Sequence, residues 1–136
     1  MTHDLPRILL VDDDDDYAES TGALLHASGY EVRRARTARE ALRLAREVRP
    51  DLVLLDVMME HATAGLDALA EMRRDPQLAG LPILVVSSIY AEVPGFRIST
   101  DPAWLRHDGF VPKPVDYDAL LARIGELLAA APARPA

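Results

Sequence analysis

ILLVDDDDD, residues 8–16, is the stretch that decides how this chain is read. Ile8, Leu9, Leu10 and Val11 are continuously apolar and stop abruptly at Asp12. An unbroken apolar run of this length, without polar alternation, reads as a strand covered on both faces, as parallel sheets require. The acids behind it have two readings. Asp14, Asp15 and Asp16 suit the first turn of a helix, where negative charge meets the positive end of the helix dipole. Asp12 and Asp13 abut the strand, and in an open parallel sheet ligands sit beyond the carboxyl ends of the strands.

The same grammar repeats outward from this point. Tyr17, Thr21, Leu24, Leu25 and Ser28 keep helical spacing, and Gly29 suits the end of that helix. Tyr30 to Arg34 reads as a weaker strand. Thr37 is placed to cap the next helix with Glu40 at the capping-box spacing, and Ala38, Ala41, Leu42, Ala45 and Val48 form its buried stripe. Leu52 to Leu55 is a second apolar run, closed by Asp56. Leu66, Leu69 and Met72 mark a third helix that closes before Pro76. Pro82 to Val86 is a strand ended by Ser87 and Ser88, and Phe110 and Val111 lead to Lys113 and Pro114. Asp116 caps a last helix carrying Leu120, Leu121, Ile124, Leu127 and Leu128. Five strands alternating with helices, joined by right-handed crossovers, give a doubly wound α/β sandwich with a parallel sheet. Residues 1–129 read as one domain, with 130–136, alanine and proline apart from Arg134, as a disordered tail.

Composition narrows the function classes. The chain has 136 residues, enough for one core and too few for two ordinary ones. A net charge of −7 argues against direct nucleic-acid binding. No apolar run approaches the roughly 20 residues that span a bilayer, and Met1 to Pro6 has no signal-peptide core, so a cytoplasmic protein is expected. The absence of cysteine removes disulfides, thiol catalysis and thiolate metal sites together. The arginines at 33, 34, 36, 39, 43, 46 and 49 form a basic stripe that reads as a solvated face rather than a docking surface.

The strand ends gather a chemically coherent set. Asp12 and Asp13 follow the first strand, Asp56 the third, Ser87 the fourth, and Lys113 stands beside the fifth. Three converging carboxylates repel one another unless a cation sits among them, and an all-oxygen set without His or Cys points to Mg2+ or a similar hard ion. Such an ion also neutralises a transferring phosphoryl group. Ser87 can donate a hydroxyl hydrogen bond to that group, and Lys113, the only lysine, can supply a compact positive charge.

ILLVDDD at 8–14, LVLLDVMM at 52–59, ILVVSS at 83–88 and FVPKP at 110–114 together resemble the motifs of receiver domains of two-component response regulators, of the stand-alone, chemotaxis-regulator type. The resemblance runs from Arg7 to about Leu128. It implies a flavodoxin-like strand order 2-1-3-4-5, with Asp56 taking a phosphoryl group from a histidine kinase or phosphotransfer protein. It implies Mg2+ held by Asp13 and Asp56 directly, by the Met58 carbonyl, and by Asp12 through water. Ser87 and Phe110 match the switch pair, Lys113 the residue that holds a phosphoryl oxygen, and Pro114 the position of a cis proline. Met58 and Ile89 match positions that flank the path of the hydrolytic water. Output would pass through contacts with another protein, without nucleic acid or membrane, and a homodimer stays open. The protein would be a signalling switch that catalyses its own phosphorylation and dephosphorylation, not an enzyme acting on a separate substrate.

Three departures from the family pattern stand out. Glu60 replaces the usual proline, and Gly65 comes one residue late, which places an insertion in the loop after Asp56. Pro112 removes a backbone donor just before Lys113, tolerable on an edge strand. Pro94, Gly95 and Pro102 interrupt the segment where the family places its fourth helix, so that helix is expected to be atypical or shortened. Two other functions stand beside the receiver. A haloacid-dehalogenase-type phosphatase would use Asp12 as nucleophile and Asp14 as its acid–base partner, but leaves Asp56 without a role. A phosphorylation-independent binding module with a vestigial site would fit the altered loops.

Overall fold

The computed structural model describes residues 5–56, 64–87, 110–112 and 115–130, with backbone alone at 64–66, 87, 110, 112 and 130. Its elements are β1 (Arg7–Val11), α1 (Asp15–Ala27), β2 (Glu31–Ala35), α2 (Ala38–Val48), β3 (Leu52–Leu55), α3 (Ala64–Arg74), β4 (Ile83–Ser87), β5 (Phe110–Pro112) and α4 (Tyr117–Ala130). β1 to β4 form the body of a parallel sheet in the order 2-1-3-4, and the three-residue β5 pairs along β4 at the edge. The segment 90–109, expected to lack the family's regular fourth helix, lies outside the described residues.

The period-2 geometry of a strand divides the core between two faces. Leu9, Val11, Val53, Leu55 and Ile83 point to one side, where they pack on Ala41 and Ala45 of α2 and Leu69 and Met72 of α3. Ile8, Leu10, Leu52, Leu54 and Leu84 point to the other, against Ala18 and Leu25 of α1 and Leu120 and Ile124 of α4. Every residue from Ile8 to Val11 and from Leu52 to Leu55 is buried, which is why these strands carry no polar alternation. β2 has only one wholly buried residue, Ala35, and its exposed Arg33 charges a sheet edge that would otherwise invite pairing.

Helix ends follow local chemistry. Asp14 caps α1, its carboxylate accepting from the Tyr17 N–H at 3.1 Å. Gly29, at φ 98°, makes the left-handed exit from that helix without a Cβ clash. Thr37 caps α2 by accepting from the Glu40 N–H, but Glu40 reaches back to the N–H of Arg36 rather than to that of Thr37, one residue beyond a standard capping box. Asp116 caps α4 by accepting from the N–H groups of Asp118 and Ala119. Among the described residues no helix is long and apolar enough to cross a membrane.

Candidate functional site

Parallel pairing brings the strand ends into one row. Val11 lies opposite Leu55 in the β1–β3 register and opposite Ala35 in the β1–β2 register. The next residues continue the ladder for one step. Asp12 N–H donates to the Ala35 carbonyl at 3.0 Å, and Asp56 N–H donates to the Val11 carbonyl at 2.9 Å. These bonds set Asp12 and Asp56 at the carboxyl edge of the sheet, 1% and 5% exposed respectively. Asp13, one residue on, is exposed. A carboxylate oxygen from each of Asp12, Asp13 and Asp56 lies within 4.8 Å of the other two.

That spread suits a small oxygen-loving cation. Two ligands bound directly at about 2.1 Å from Mg2+ stand no more than about 4.2 Å apart. Oxygens gathered within 4.8 Å of one another could share one such cation. Burial adds a driving force, because like charges sharing a partly desolvated site are costly until a cation neutralises them.

The five aspartates of residues 12–16 have separate tasks. Asp12 and Asp13 belong to the cluster, and one Asp12 carboxylate oxygen also accepts from the Asp14 N–H at 2.9 Å, tightening the turn out of β1. Asp14 is the helix cap. Asp15 pairs with Arg34 at 2.8 Å and Arg36 at 3.2 Å. Asp16 is an exposed acid in the first helical turn.

Of the other residues singled out from sequence, Ser87 ends β4 and Phe110 begins β5; Val85 pairs with Phe110 and Ser87 with Pro112. This places the two backbones on neighbouring strands. The side chains of Ser87 and Phe110, together with Met58, Ile89, Lys113 and Pro114, lie outside the described residues. One residue beside the cluster was not anticipated. Arg34, read from sequence as part of a solvated stripe, donates to the Asp12 carbonyl through Nε at 3.1 Å and Nη2 at 2.9 Å. The signal was its position one residue before the end of a strand that neighbours β1.

Comparison with known proteins gives the family and the fold. The family model of the response regulator receiver domain matches residues 8–125. The protein PilH of Pseudomonas aeruginosa is 30% identical over 92% of this chain and 99% of its own length. The DNA-binding dual master transcriptional regulator RpaA of Synechocystis is 31% identical over 91% of this chain, which spans only 49% of RpaA. A crystal structure of a putative response regulator from Chloroflexus aurantiacus superposes with a TM-score of 0.77 at 31% identity, covering 92% of this chain and 98% of that one. The chain belongs to the response regulator receiver domain family of two-component systems. That membership does not favour the phosphatase or the vestigial module.

Proposed function

We propose that Asp56 is the phosphoacceptor of this receiver and that its phosphorylation requires Mg2+ held by Asp12, Asp13 and Asp56. The observation that carries the reading is the convergence of these three carboxylates, two of them buried, at the carboxyl edge of a parallel sheet. Asp56 closes the central strand and is fixed through its own amide, so its carboxylate faces the pair that follows β1.

A carboxylate oxygen of Asp56 attacks phosphorus of a phosphohistidine on a kinase or phosphotransfer protein. The P–N bond breaks, the imidazole takes up a proton, and an acyl phosphate forms on Asp56. Water later attacks the same phosphorus, returning the carboxylate and releasing inorganic phosphate. Bound Mg2+ supplies charge neutralisation for the phosphoryl oxygens. Asp13 and Asp56 would hold it directly with the Met58 carbonyl, and Asp12 would hold it through water. Lys113 holds a phosphoryl oxygen, Ser87 donates a hydrogen bond to another, and Phe110 moves with Ser87 to report the change. Residues 1–129 act as the signalling unit in the cytoplasm, and the output passes to another protein through surface contacts.

Mass spectrometry after incubation with acetyl phosphate and Mg2+ tests the assignment. The wild type should gain one phosphoryl mass and Asp56→Asn none. Full labelling of Asp56→Asn would overturn the choice of acceptor.

A further inference from the structure

Arg34 sits where the alternation of β2 puts it on the same side of the sheet as Val32, facing α1, and opposite Leu10 in register. From there its guanidinium reaches past the end of β1. Nε and Nη2 both donate to the Asp12 carbonyl, while Nη1 lies 2.8 Å from a carboxylate oxygen of Asp15 in the first turn of α1. The Asp12 carbonyl is the first on this chain that points beyond the last bridged pair of β1 and β2, Val11 with Ala35. A backbone acceptor there needs a donor, and Arg34 supplies two. The planar fork serves three acceptor contacts at once, a geometry an ammonium group cannot reproduce.

The peptide plane fixed in this way is the one that joins Asp12 to Asp13. Its orientation decides where the Asp13 carboxylate stands relative to Asp12 and Asp56. The Asp15 contact has a second effect. Arg34 and Arg36 together draw that carboxylate towards β2, leaving Asp12, Asp13 and Asp56 as the group that converges.

We infer that Arg34 is a positioning residue for the metal site: it clamps the Asp12–Asp13 peptide so that both carboxylates are preset for a divalent cation. The inference rests on the Mg2+ reading of the acidic cluster. It makes a prediction opposite in sign to simple electrostatics. Removing a positive charge near three carboxylates should tighten cation binding if charge alone matters. Removing the clamp should weaken it, because outer partners that orient ligands are typically worth about 10–100-fold in metal affinity.

Calorimetric titration of the whole chain with MgCl2 separates the two. The probes are wild type, Arg34→Met, Arg34→Lys and, as a charge control on the opposite side of β2, Arg33→Gln. Arg34→Met should bind Mg2+ roughly tenfold more weakly than wild type. Arg34→Lys keeps the charge and should not restore the affinity. Arg33→Gln should bind as the wild type does or slightly tighter. In phosphorylation by acetyl phosphate, both Arg34 variants should need more Mg2+ for half-maximal rate while approaching the wild-type rate at saturation. Thermal melts in chelator establish that each variant is folded, and Arg34→Lys carries the test if Arg34→Met is not. Unchanged or tighter Mg2+ binding in the folded Arg34 variants overturns the clamp. A wild type that binds no Mg2+ overturns the reading of the cluster itself, and the clamp with it.

Discussion

The amide of Asp56 donates to the carbonyl of Val11 at 2.9 Å, and this one bond places the central acid beside the pair that follows Val11. The site is thus an extension of sheet pairing by a single residue. Its acids are positioned by the same ladder that buries Leu9, Val11, Val53 and Leu55, so the core and the chemistry share one framework.

A cluster of three carboxylates without its cation works against folding, and the metal should reverse the sign. Mg2+ at about a hundred times its Kd should stabilise the wild type by about 2.7 kcal/mol, since only the folded chain presents the site. Asp13→Asn should lose most of that increment, yet melt at or above the wild-type temperature in chelator, because one repelling charge is gone. Melts with chelator and with Mg2+ measure both quantities. Equal Mg2+ stabilisation of the two proteins would remove Asp13 from the site.

In the proposed reading of Asp56 as phosphoacceptor, Met58 and Ile89 match positions flanking the path of the hydrolytic water. Neither side chain can orient an attacking water by hydrogen bonding, so dephosphorylation should be slow for a receiver. Met58→Asn and Ile89→Glu should each shorten the phosphoryl lifetime, read as decay of labelled protein after the donor is removed. Unchanged decay in both variants would count against this role.

Asp75 should make stability depend on pH. The Arg46 guanidinium, hydrogen-bonded at 2.8 Å, holds its carboxyl below the ordinary value of 3.8, with help from the Gln77 N–H. A carboxyl whose folded pKa is lowered adds stability above its unfolded pKa and loses it as pH falls through the folded one. The stability gap between wild type and Asp75→Asn should therefore be full near neutrality and shrink below about pH 4. Urea midpoints at neutral and acid pH give the comparison. A gap independent of pH would mean that the Arg46–Asp75 pair contributes no linkage.

Arg49 ends α2 with φ 53° and ψ 66°, in the left-handed region that disfavours a side chain. Arg49→Gly should relieve that strain and, after the added chain entropy of glycine, raise stability by about 0.5–1 kcal/mol. Urea denaturation reads the change, and a lowered midpoint would show that the Arg49 side chain contributes more than its backbone costs.

The linear order of residues 8–56 already contained the first three strands of the parallel sheet and the acid triad. Apolar runs that end in Asp12 and Asp56 are legible because strand burial and strand ends are local properties, and the rule that ligands gather at carboxyl ends then joins them. The helix caps at Thr37 and Asp116 were legible for the same reason, since a cap bonds only two or three residues ahead, whereas Asp14 was read only as one of three acids in a first helical turn and proves to be the cap. The basic stripe was only partly legible. Arg43 pairs with Glu47 along its own helix as spacing suggests, but Arg46 reaches Asp75 beyond α3, and Arg34 reaches Asp12 and Asp15 across the sheet end. Those partners depend on how β2 aligns with β1 and how α2 lies against α3. Sequence by itself determined which residues would form strands, helices and the acidic site. Only the tertiary structure decided which arginines are committed to that site, because a guanidinium at the end of a long flexible stem finds its acceptors through space, where no periodicity records them.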